Sequence, residues 1–295
     1  TLAQQTAAKL PKDTLPAKLS EKAPDYFATN PKIPQDNPMN AAKIALGRKL
    51  FFDPILSRDN TVSCATCHQP KHGFASPDRL AIGVGGAVGQ RNAPSLLNRG
   101  FGITFFWDGR ASSLEEQALK PISNKLEFDS SVADVLQRLR AKSAYVKKFQ
   151  DAFSPKSDSK ETGRSSSGSA ITSQNLAKAL AAFQRTLFSG ETPVDQFQAG
   201  KYEALTQLER QGLWIFESRG RCWKCHSGDN LTDEKFHNTG VGFDAKKRDM
   251  GRFQHTKTKS DQGKFKTPSL RSVAQTAPYM HDGSLKSLKD VVDVY

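Results

Sequence analysis

Apolar and polar residues alternate with a helical period in several segments of the chain. The segments AAKIALGRKLFF (residues 41–52) and LERQGLWIFES (residues 208–218) repeat apolar side chains every three or four positions. The segment NLAKALAAFQRTLF (residues 175–188) has the same period, and Ser173 before it is a suitable N-cap. These patterns predict a mainly helical protein with few or no strands.

A further helix is predicted to begin at Glu115–Gln117. It should end before Pro121, because proline lacks the amide hydrogen that helix continuation needs. Glu127 follows between two apolar residues, in a stretch that we expect to be extended. A single carboxylate in such a setting is usually at the surface, so the residues alone leave a surface role and a catalytic role open for Glu127.

The two halves of the chain repeat one pattern. The pentapeptide APSLL at 93–97 matches TPSLR at 267–271, and thirteen residues after each proline stands a triplet, Trp107-Asp108-Gly109 or His281-Asp282-Gly283. A helix-like segment precedes the central motif of each half. The repeat predicts two domains of common design, with different duties because Trp107 in one half is His281 in the other.

The segments between these patterns suggest the domain limits. Residues 1–38 carry several prolines and little periodicity, which is typical of an arm laid over a body. The stretch from Ser154 to Gln174 is rich in Ser, Gly and Lys and predicts a mobile loop. We therefore expect an arm at 1–38, a first domain at 39–189 and a second domain at 190–295.

Composition and charge narrow the class of protein. The chain has 295 residues, a mean hydropathy of −0.58 and a formal charge of +13, and it contains no apolar run long enough to span a membrane. Nine basic and two acidic residues fall between Lys246 and Arg271. Such a run is either a solvated face or a contact for an acidic partner. No nucleic-acid fold motif accompanies it, so we expect no nucleic-acid partner.

The four cysteines define the chemistry. They form the motifs C-A-T-C-H, with Cys64, Cys67 and His68, and C-W-K-C-H, with Cys222, Cys225 and His226. Two thiols three positions apart followed by a histidine are the pattern of covalent c-type haem attachment, in which the imidazole is the proximal iron ligand. The motifs predict two covalent haems and leave no cysteine for a disulfide. Covalent haem of this kind predicts a periplasmic protein.

The loop that follows the first motif lacks any residue that could coordinate the haem iron at its sixth position. The segment AIGVGGAVGQRNAP, from Ala81 to Pro94, contains no His, Met, Tyr or Lys. A haem that reacts with peroxide needs an open sixth position, whereas one that only transfers electrons usually has that position filled. The first haem is therefore expected to be open.

The sequence resembles the bacterial di-haem cytochrome c peroxidase and MauG family. The matching segments are LGRKLFFDPILS, SCATCH, RNAPSLLN, FFWDGRASSLEEQA, CWKCH, FKTPSLRSV and TAPYMHDG, from about Asn40 to the last residue. The resemblance implies a fold of two cytochrome c-like haem domains and an enzyme that reduces hydrogen peroxide.

The resemblance also implies roles for single residues. His68 and His226 match the proximal ligands of the peroxide-reacting haem and of the electron-transfer haem. Glu127 matches the distal carboxylate of the family, and Gln117, ten residues earlier, matches its polar neighbour. Trp107 matches the tryptophan that lies between the haems and relays electrons.

A calcium ion between the haems is implied in the same way. Asn92, Thr276 and Pro278 match its ligands in the family, which suits a hard cation that prefers oxygen. No carboxylate is evident among them, so waters would complete the shell.

The chain departs from the conventional peroxidases of the family at two positions. Their switch histidine falls in register near Val84, and no histidine is close to that position here. Their methionine ligand of the second haem lies fourteen residues after the His of the His-Asp-Gly triplet, and here that residue is Tyr295, as in the MauG branch. Met280 and Met250 remain alternatives for this ligand, and so do His237 and His255.

The expected function is therefore that of a MauG-like di-haem peroxidase. It would react with peroxide at an open ferric c-haem, share high-valent iron with the second haem and oxidise a protein or redox partner over a long distance. The basic run would suit a partner with an acidic face. Trp223 and Trp214 are possible exits for the electrons. The alternative is a conventional cytochrome c peroxidase, which takes electrons from a small cytochrome or copper protein.

Overall fold

The computed structural model describes Phe27 and residues 29–153, 169–242 and 249–295. Within these ranges the chain forms the helices α1 Ala41–Phe52, α2 Cys64–Cys67, α3 Leu114–Ser123, α4 Val132–Arg140, α5 Ser143–Phe153, α6 Ser173–Arg185, α7 Pro193–Gln198, α8 Gln207–Glu217, α9 Phe253–Thr256 and α10 Leu288–Val294. Short 3₁₀-helices lie at Pro54–Leu56, Pro70–His72, Val84–Gly86, Arg99–Phe101, Tyr202–Ala204, Cys222–Lys224, Lys259–Asp261 and Val273–Gln275.

The only strands in the described ranges form one small antiparallel ladder. β1 Phe236–His237 pairs with β2 Phe265–Lys266, so that Phe236 is opposite Lys266. The prediction of a mainly helical fold with few strands is confirmed. None of the helices seen in the described part of the chain is both long and apolar enough to cross a bilayer.

Two predicted helix limits were wrong. Helix α3 continues through Pro121 to Ser123. Pro121 lies in the last turn, where the missing amide hydrogen removes one bond and no later turn depends on it. Helix α6 is capped by Thr172, whose side chain accepts from the Asn175 amide, and Ser173 is its first residue. Most of the predicted mobile loop, residues 154–168, lies outside the described residues.

The main core belongs to the first half of the chain. Helices α1, α3, α4, α5 and α6 surround a continuous apolar cluster whose most enclosed members are Leu46, Leu50, Phe51, Val135, Leu139, Phe149, Leu176 and Phe183. Helices α1 and α6 approach closely at Gly47, because a Cβ there would overlap the carbonyl oxygen of Ala179. In contrast, α8 and α10 of the second half contain no buried residue.

The internal repeat is visible as equivalent backbone hydrogen bonds between the halves. The Asn92 amide donates to the carbonyl of His281 at 2.8 Å, and the Lys266 amide donates to the carbonyl of Trp107 at 2.7 Å. The same offset of 174 residues relates both donors and both acceptors. The two halves therefore meet around an approximate twofold axis that passes between Trp107 and His281.

The described part of the N-terminal arm lies against both halves. Phe27 packs on Phe101 and Phe188, with ring centroids 5.5 and 5.3 Å apart. The Lys32 amide donates to the carbonyl of Gly100 at 2.8 Å, and in the second half Asp229 Oδ2 accepts from the Thr29 amide at 3.2 Å. The limits of the arm and of the two domains, at 38 and 189, stay predictions.

Candidate functional site

The first cysteine–histidine motif lies on one turn of helix. Cys64 and Cys67 are the ends of α2, and the His68 amide donates to the carbonyl of Cys64 at 2.9 Å. Burial raises the pKa of Cys64 to about 12 and that of Cys67 to about 11, so both sulfurs are held neutral.

Hydrogen bonding fixes which nitrogen of His68 can bind a metal. Its Nδ1 lies 3.0 Å from the carbonyl oxygen of Phe74. Because a carbonyl only accepts, Nδ1 carries the proton and Nε2 keeps a free lone pair. Burial lowers the pKa of His68, which keeps the imidazole neutral and able to act as a ligand.

The second motif repeats this arrangement. The His226 amide donates to the carbonyl of Cys222 at 2.9 Å, and Nδ1 of His226 lies 3.0 Å from the carbonyl oxygen of Leu231. Burial again lowers the pKa of the histidine. Leu231 and Phe74, which present these carbonyls, both have positive φ, 50° and 57°, although Leu231 lies five residues after its histidine and Phe74 lies six.

Glu127 lies in a turn and not in the extended stretch that we expected. Its amide donates to the carbonyl of Asn124 at 3.0 Å, and the Asn124 side-chain amide donates to Glu127 Oε1 at 2.6 Å. Burial raises the pKa of Glu127, whereas Asn124 and the charge of Arg110 oppose that rise. The charge of Glu127 in turn raises the pKa values of Cys64 and Cys67, which places the carboxylate beside the first motif.

The polar neighbours of Glu127 differ from those expected. Gln117 is half-buried on α3, and no hydrogen bond within the described ranges joins its side chain to Glu127. Asn124, which sequence reasoning missed, makes that bond. The sequence carried a local signal for this bond, because an Asn at the start of a turn forms hydrogen bonds with residues two or three positions later.

Trp107 lies where the halves meet. Its indole Nε1 donates to the carbonyl of Asn92 at 2.9 Å, and its ring meets the ring of His281 edge-on with centroids 6.5 Å apart. His281 also stacks on Phe265, with ring centroids 3.6 Å apart. Trp107 therefore lies at the boundary of the two halves, and its position between two haems stays a prediction.

A buried charge network fixes the segment after Trp107. Asp108 accepts from Arg91 at 2.7 Å and from Arg110 at 2.9 Å, and Arg91 also pairs with Asp249 at 2.7 Å. The Arg91 and Arg110 charges keep the pKa of Asp108 low despite its burial. Sequence reasoning missed this network, because its members are far apart along the chain.

The three expected calcium ligands come from segments that touch. The Asn92 side-chain amide donates to the carbonyl of Asp78 at 2.9 Å, and the Asn92 backbone bonds to His281, three residues beyond Pro278. Within the described ranges no hydrogen bond ends on the carbonyl oxygens of Thr276 or Pro278. These oxygens are therefore available to a cation.

Tyr295 lies at the end of α10, close to the second motif. Burial raises the pKa of its phenol, the Cys225 and Cys222 sulfurs raise it further, and a hydrogen bond with Thr239 lowers it. The ring is still 73% exposed, so the surroundings enclose it on one side only. The sulfurs of Cys222 and Cys225 are therefore close enough to Tyr295 to influence its phenol electrostatically.

The alternatives to Tyr295 as the second ligand of the second haem lie in different surroundings. His237 Nε2 lies 2.8 Å from Asp233 Oδ2, and His255 is exposed on α9. Met280 is half-buried and has a positive φ of 72°, equivalent to the 66° of Phe106 in the first half, so its backbone belongs to a conserved turn of the repeat. Met250 is also half-buried.

The loop at Val84 is docked on the turn of Glu127. Val84 is 4% exposed, and its amide donates to the carbonyl of Glu127 at 2.9 Å. The residue in the register of the switch histidine is thus part of the wall of the first site.

The basic segment from Lys246 to Arg271 is not a single solvated face. Lys266 pairs with Glu234 at 3.5 Å and Arg271 with Asp195 at 2.6 Å, and both cations are buried. Residues 243–248 lie outside the described residues. Lys257 and Lys259 are exposed, as are Trp214 and Trp223, by 56% and 47%.

Comparisons with known proteins agree with this geometry. The family model for "Di-haem cytochrome c peroxidase" matches residues 41–203. The chain is similar to the methylamine utilization protein MauG of Methylorubrum extorquens, with 40% identity over 89% of this chain and 70% of that protein. It is also similar to the cytochrome c551 peroxidase of Pseudomonas aeruginosa, with 38% identity over 87% of this chain and 72% of that protein.

A solved structure shows the same architecture. The crystal structure of a MauG-like protein associated with microbial copper homeostasis aligns with a TM-score of 0.81 and 33% identity, over 94% of this chain and 82% of that one. The two-half helical fold described above is therefore shared with MauG-like proteins.

Proposed function

The chain belongs to the di-haem cytochrome c peroxidase family, and from that premise we propose that it is a MauG-like peroxidase that oxidises a protein or redox partner by long-range electron transfer. The family makes it an oxidoreductase that acts on hydrogen peroxide and carries two c-type haems. The observation that supports the finer proposal is the electrostatic influence of the Cys222 and Cys225 sulfurs on the phenol of Tyr295, the residue that follows α10.

The residues of both motifs fit the haems. Each pair of cysteines lies on one turn, and each histidine is neutral with its Nδ1 proton bonded to a carbonyl. His68 and His226 would hold the irons through Nε2. When bound, the haems supply the redox chemistry with peroxide that side chains of the protein lack.

Glu127 is proposed to move the proton of the peroxide. With the haem bound, the carboxylate would take a proton from one oxygen of hydrogen peroxide and return it to the other, and the haem would supply the two electrons that break the O–O bond, so that the protonated oxygen leaves as water. Burial raises the pKa of the carboxyl, which favours return of the proton, and Asn124 holds Oε1 in place. General acid–base catalysis of this kind contributes about 10²–10⁴-fold. Gln117 is proposed as a second polar group at this site.

Trp107 is proposed as the relay between the two sites. Its indole proton is held by the Asn92 carbonyl, which is a hydrogen-bond acceptor but too weak a base to remove the proton. An electron can therefore leave the ring while the proton stays at Nε1. The edge-on ring of His281 closes the other side of the indole.

Tyr295 is proposed as the second ligand of the iron at His226. An anionic phenolate stabilises oxidised iron, whereas a thioether such as that of Met280 favours reduced iron. A tyrosine would thus keep the second haem oxidised in the resting protein. Calcium is proposed to bind the side-chain oxygen of Asn92 and the carbonyls of Thr276 and Pro278, with waters that complete the shell.

The partner and the location are proposed from the charge of the chain and from the attachment chemistry. The formal charge of +13 favours a partner with an acidic face, and exposed Trp214 and Trp223 offer exits near the second motif. Covalent haem attachment favours the periplasm. The similarity to the Pseudomonas cytochrome c551 peroxidase supports the second candidate, a conventional peroxidase that takes electrons from a small redox protein.

Low-temperature EPR and optical spectra of the ferric, haem-loaded protein test the proposal before and after ascorbate. We expect one high-spin and one low-spin haem, with neither reduced by ascorbate. Reduction of half the haem would show a high-potential, methionine-like ligand, and the conventional peroxidase would replace the MauG-like enzyme.

A further inference from the structure

The glycine-rich loop after the first motif and the turn of Glu127 meet through their backbones. The Val84 amide donates to the carbonyl of Glu127 at 2.9 Å. From the other side the Asn124 amide donates to Glu127 Oε1 at 2.6 Å. Glu127 is thus held at two points, its main chain by the loop and its carboxylate by its own turn.

Gly83 permits this contact because it has no side chain. A Cβ at position 83 would lie 2.5 Å from the carbonyl oxygen of Glu127 and nearer still to that of Leu126. Both obstacles are backbone atoms and cannot rotate away. The φ of Gly83 is −101°, which any residue can adopt, so glycine is needed here for space and not for conformation.

The loop can transmit this contact because it is internally bonded. The Gly83 amide donates to the carbonyl of Ala87 at 2.8 Å, and the Gly89 amide donates to the carbonyl of Ala81 at 2.7 Å. The Val84 side chain is buried beneath it. By contrast, a Cβ at Gly85, at the exposed tip, would meet no atom within 4 Å.

We propose that Gly83 is a positioning residue for the peroxide reaction: its bare backbone lets the loop close on the turn and so fixes where the Glu127 carboxylate stands. The inference rests on the proposed role of Glu127 in proton transfer. A side chain at 83 must push the loop and the turn apart, which shifts Glu127 and weakens its bond to Val84.

The first experiment compares Gly83→Ala with Gly85→Ala in the haem-loaded protein, by stopped-flow measurement of the second-order rate with hydrogen peroxide. A shift of about 1 Å in a reacting group can cost about 10²-fold, so we expect Gly83→Ala to lose about 10- to 100-fold. Gly85→Ala, which strains a residue with a φ of 66° in the same loop, should stay within about 3-fold. Equal losses in the two variants would overturn the inference.

A double-mutant cycle shows whether Gly83 acts through Glu127. In a Glu127→Gln background, Gly83→Ala should slow the reaction by less than about 3-fold, because the group that it positions is already disabled. The same loss in both backgrounds would mean a general disturbance of the site and would refute the positioning role.

A second variant, Val84→Pro, keeps the inference testable if Gly83→Ala does not fold. Val84→Pro removes the amide hydrogen that holds the Glu127 carbonyl, at the first position of a 3₁₀-helix, where proline is tolerated. It should also slow the peroxide reaction, and an unchanged rate in a correctly folded variant would contradict the inference.

The outcomes separate this inference from the proposed function. A wild-type protein without high-spin iron would overturn the proposed function itself. A high-spin wild type whose peroxide rate is unaffected by Gly83→Ala would overturn only the role of Gly83. Hydrogen exchange of the Val84 amide, which should speed up in Gly83→Ala, tests the contact without reference to activity.

Discussion

The two halves of the molecule present the same attachment chemistry in different surroundings. In each, a histidine donates from Nδ1 to a carbonyl 3.0 Å away, that of Phe74 for His68 and that of Leu231 for His226. The first half places this unit against a core of five helices. In the second half, helices α8 and α10 contain no buried residue. Equivalent backbone hydrogen bonds around the approximate twofold axis join this half to the first.

The difference shows which features a duplicated unit keeps and which it can change. The proximal side is local, because the cysteines, the histidine and the carbonyl lie within about ten residues, and it is the same in both halves. The distal side is proposed to be assembled from distant segments, with the carboxylate of Glu127 in the first half and the phenol of Tyr295 in the second. Trp107 and His281 occupy equivalent positions of the repeat beside the twofold axis, yet one is an indole and the other an imidazole.

The largest expected effect is a loss of peroxide reactivity at the first haem that leaves the second haem unchanged. Glu127→Gln should slow the reaction with peroxide by about 10²–10⁴-fold, because glutamine cannot carry the proton. Stopped-flow spectroscopy measures the rate, and the low-spin EPR signal of the second haem should not change. Glu116→Gln, an exposed carboxylate on α3, is the control and should stay within about 2-fold. A small loss in Glu127→Gln would remove the carboxylate from the mechanism.

The second effect concerns the other distal side. Tyr295→Met should raise the potential of the second haem by on the order of 0.1 V or more, because a thioether favours reduced iron. Potentiometric titration with optical detection measures it, and ascorbate should then reduce half the haem. Tyr202→Met, at an exposed tyrosine of the same half, is the control. An unchanged potential in Tyr295→Met would point to Met280 or Met250 as the ligand.

The third effect concerns the junction of the halves. Glu234 pairs with Arg99 at 2.7 Å and with Lys266 at 3.5 Å, and burial and the Arg99 charge lower the pKa of Lys266 to about 7. Glu234→Gln leaves both cations buried without a counter-charge, so it should lower the free energy of unfolding by about 3–5 kcal/mol. Denaturant titration of the haem-loaded protein measures this. The exposed cap variant Glu209→Gln should change it by less than about 1 kcal/mol. Equal effects would mean that the junction is not held by this cluster.

The smallest effect is a gain in stability at the first distal site. Burial raises the pKa of Glu127 above its ordinary value, so the folded state binds the carboxyl proton more tightly than the unfolded state does. The stability that this proton contributes is lost as pH rises through the raised pKa, because the folded chain must then bury an ionised carboxylate. Glu127→Gln should therefore melt about 2–4 °C higher than the wild type near pH 8. The difference should shrink towards pH 4, where both side chains are neutral. Calorimetry across this range measures it, and a gain that is constant with pH would exclude ionisation as the cause.

The sequence predicted best what depends on neighbours along the chain. The helical class, the repeat and both attachment motifs followed from spacing alone. The errors at Pro121 and Ser173 concern single residues at helix ends, where the tertiary setting decides the last turn. Glu127 was expected in an extended stretch, although the Asn three residues before it favoured a turn.

The tertiary structure decided the surroundings of those residues. The contact of Val84 with Glu127, the bond from Trp107 to Asn92 and the burial of Lys266 and Arg271 join residues that no periodicity relates. A single chain carries no signal for them, because close approach depends on how whole segments pack. The sequence by itself predicted two haems and the residues that would attach them, since covalent attachment needs only one helical turn. Only the folded chain decided which groups surround each motif, because those groups come from segments that meet across the molecule.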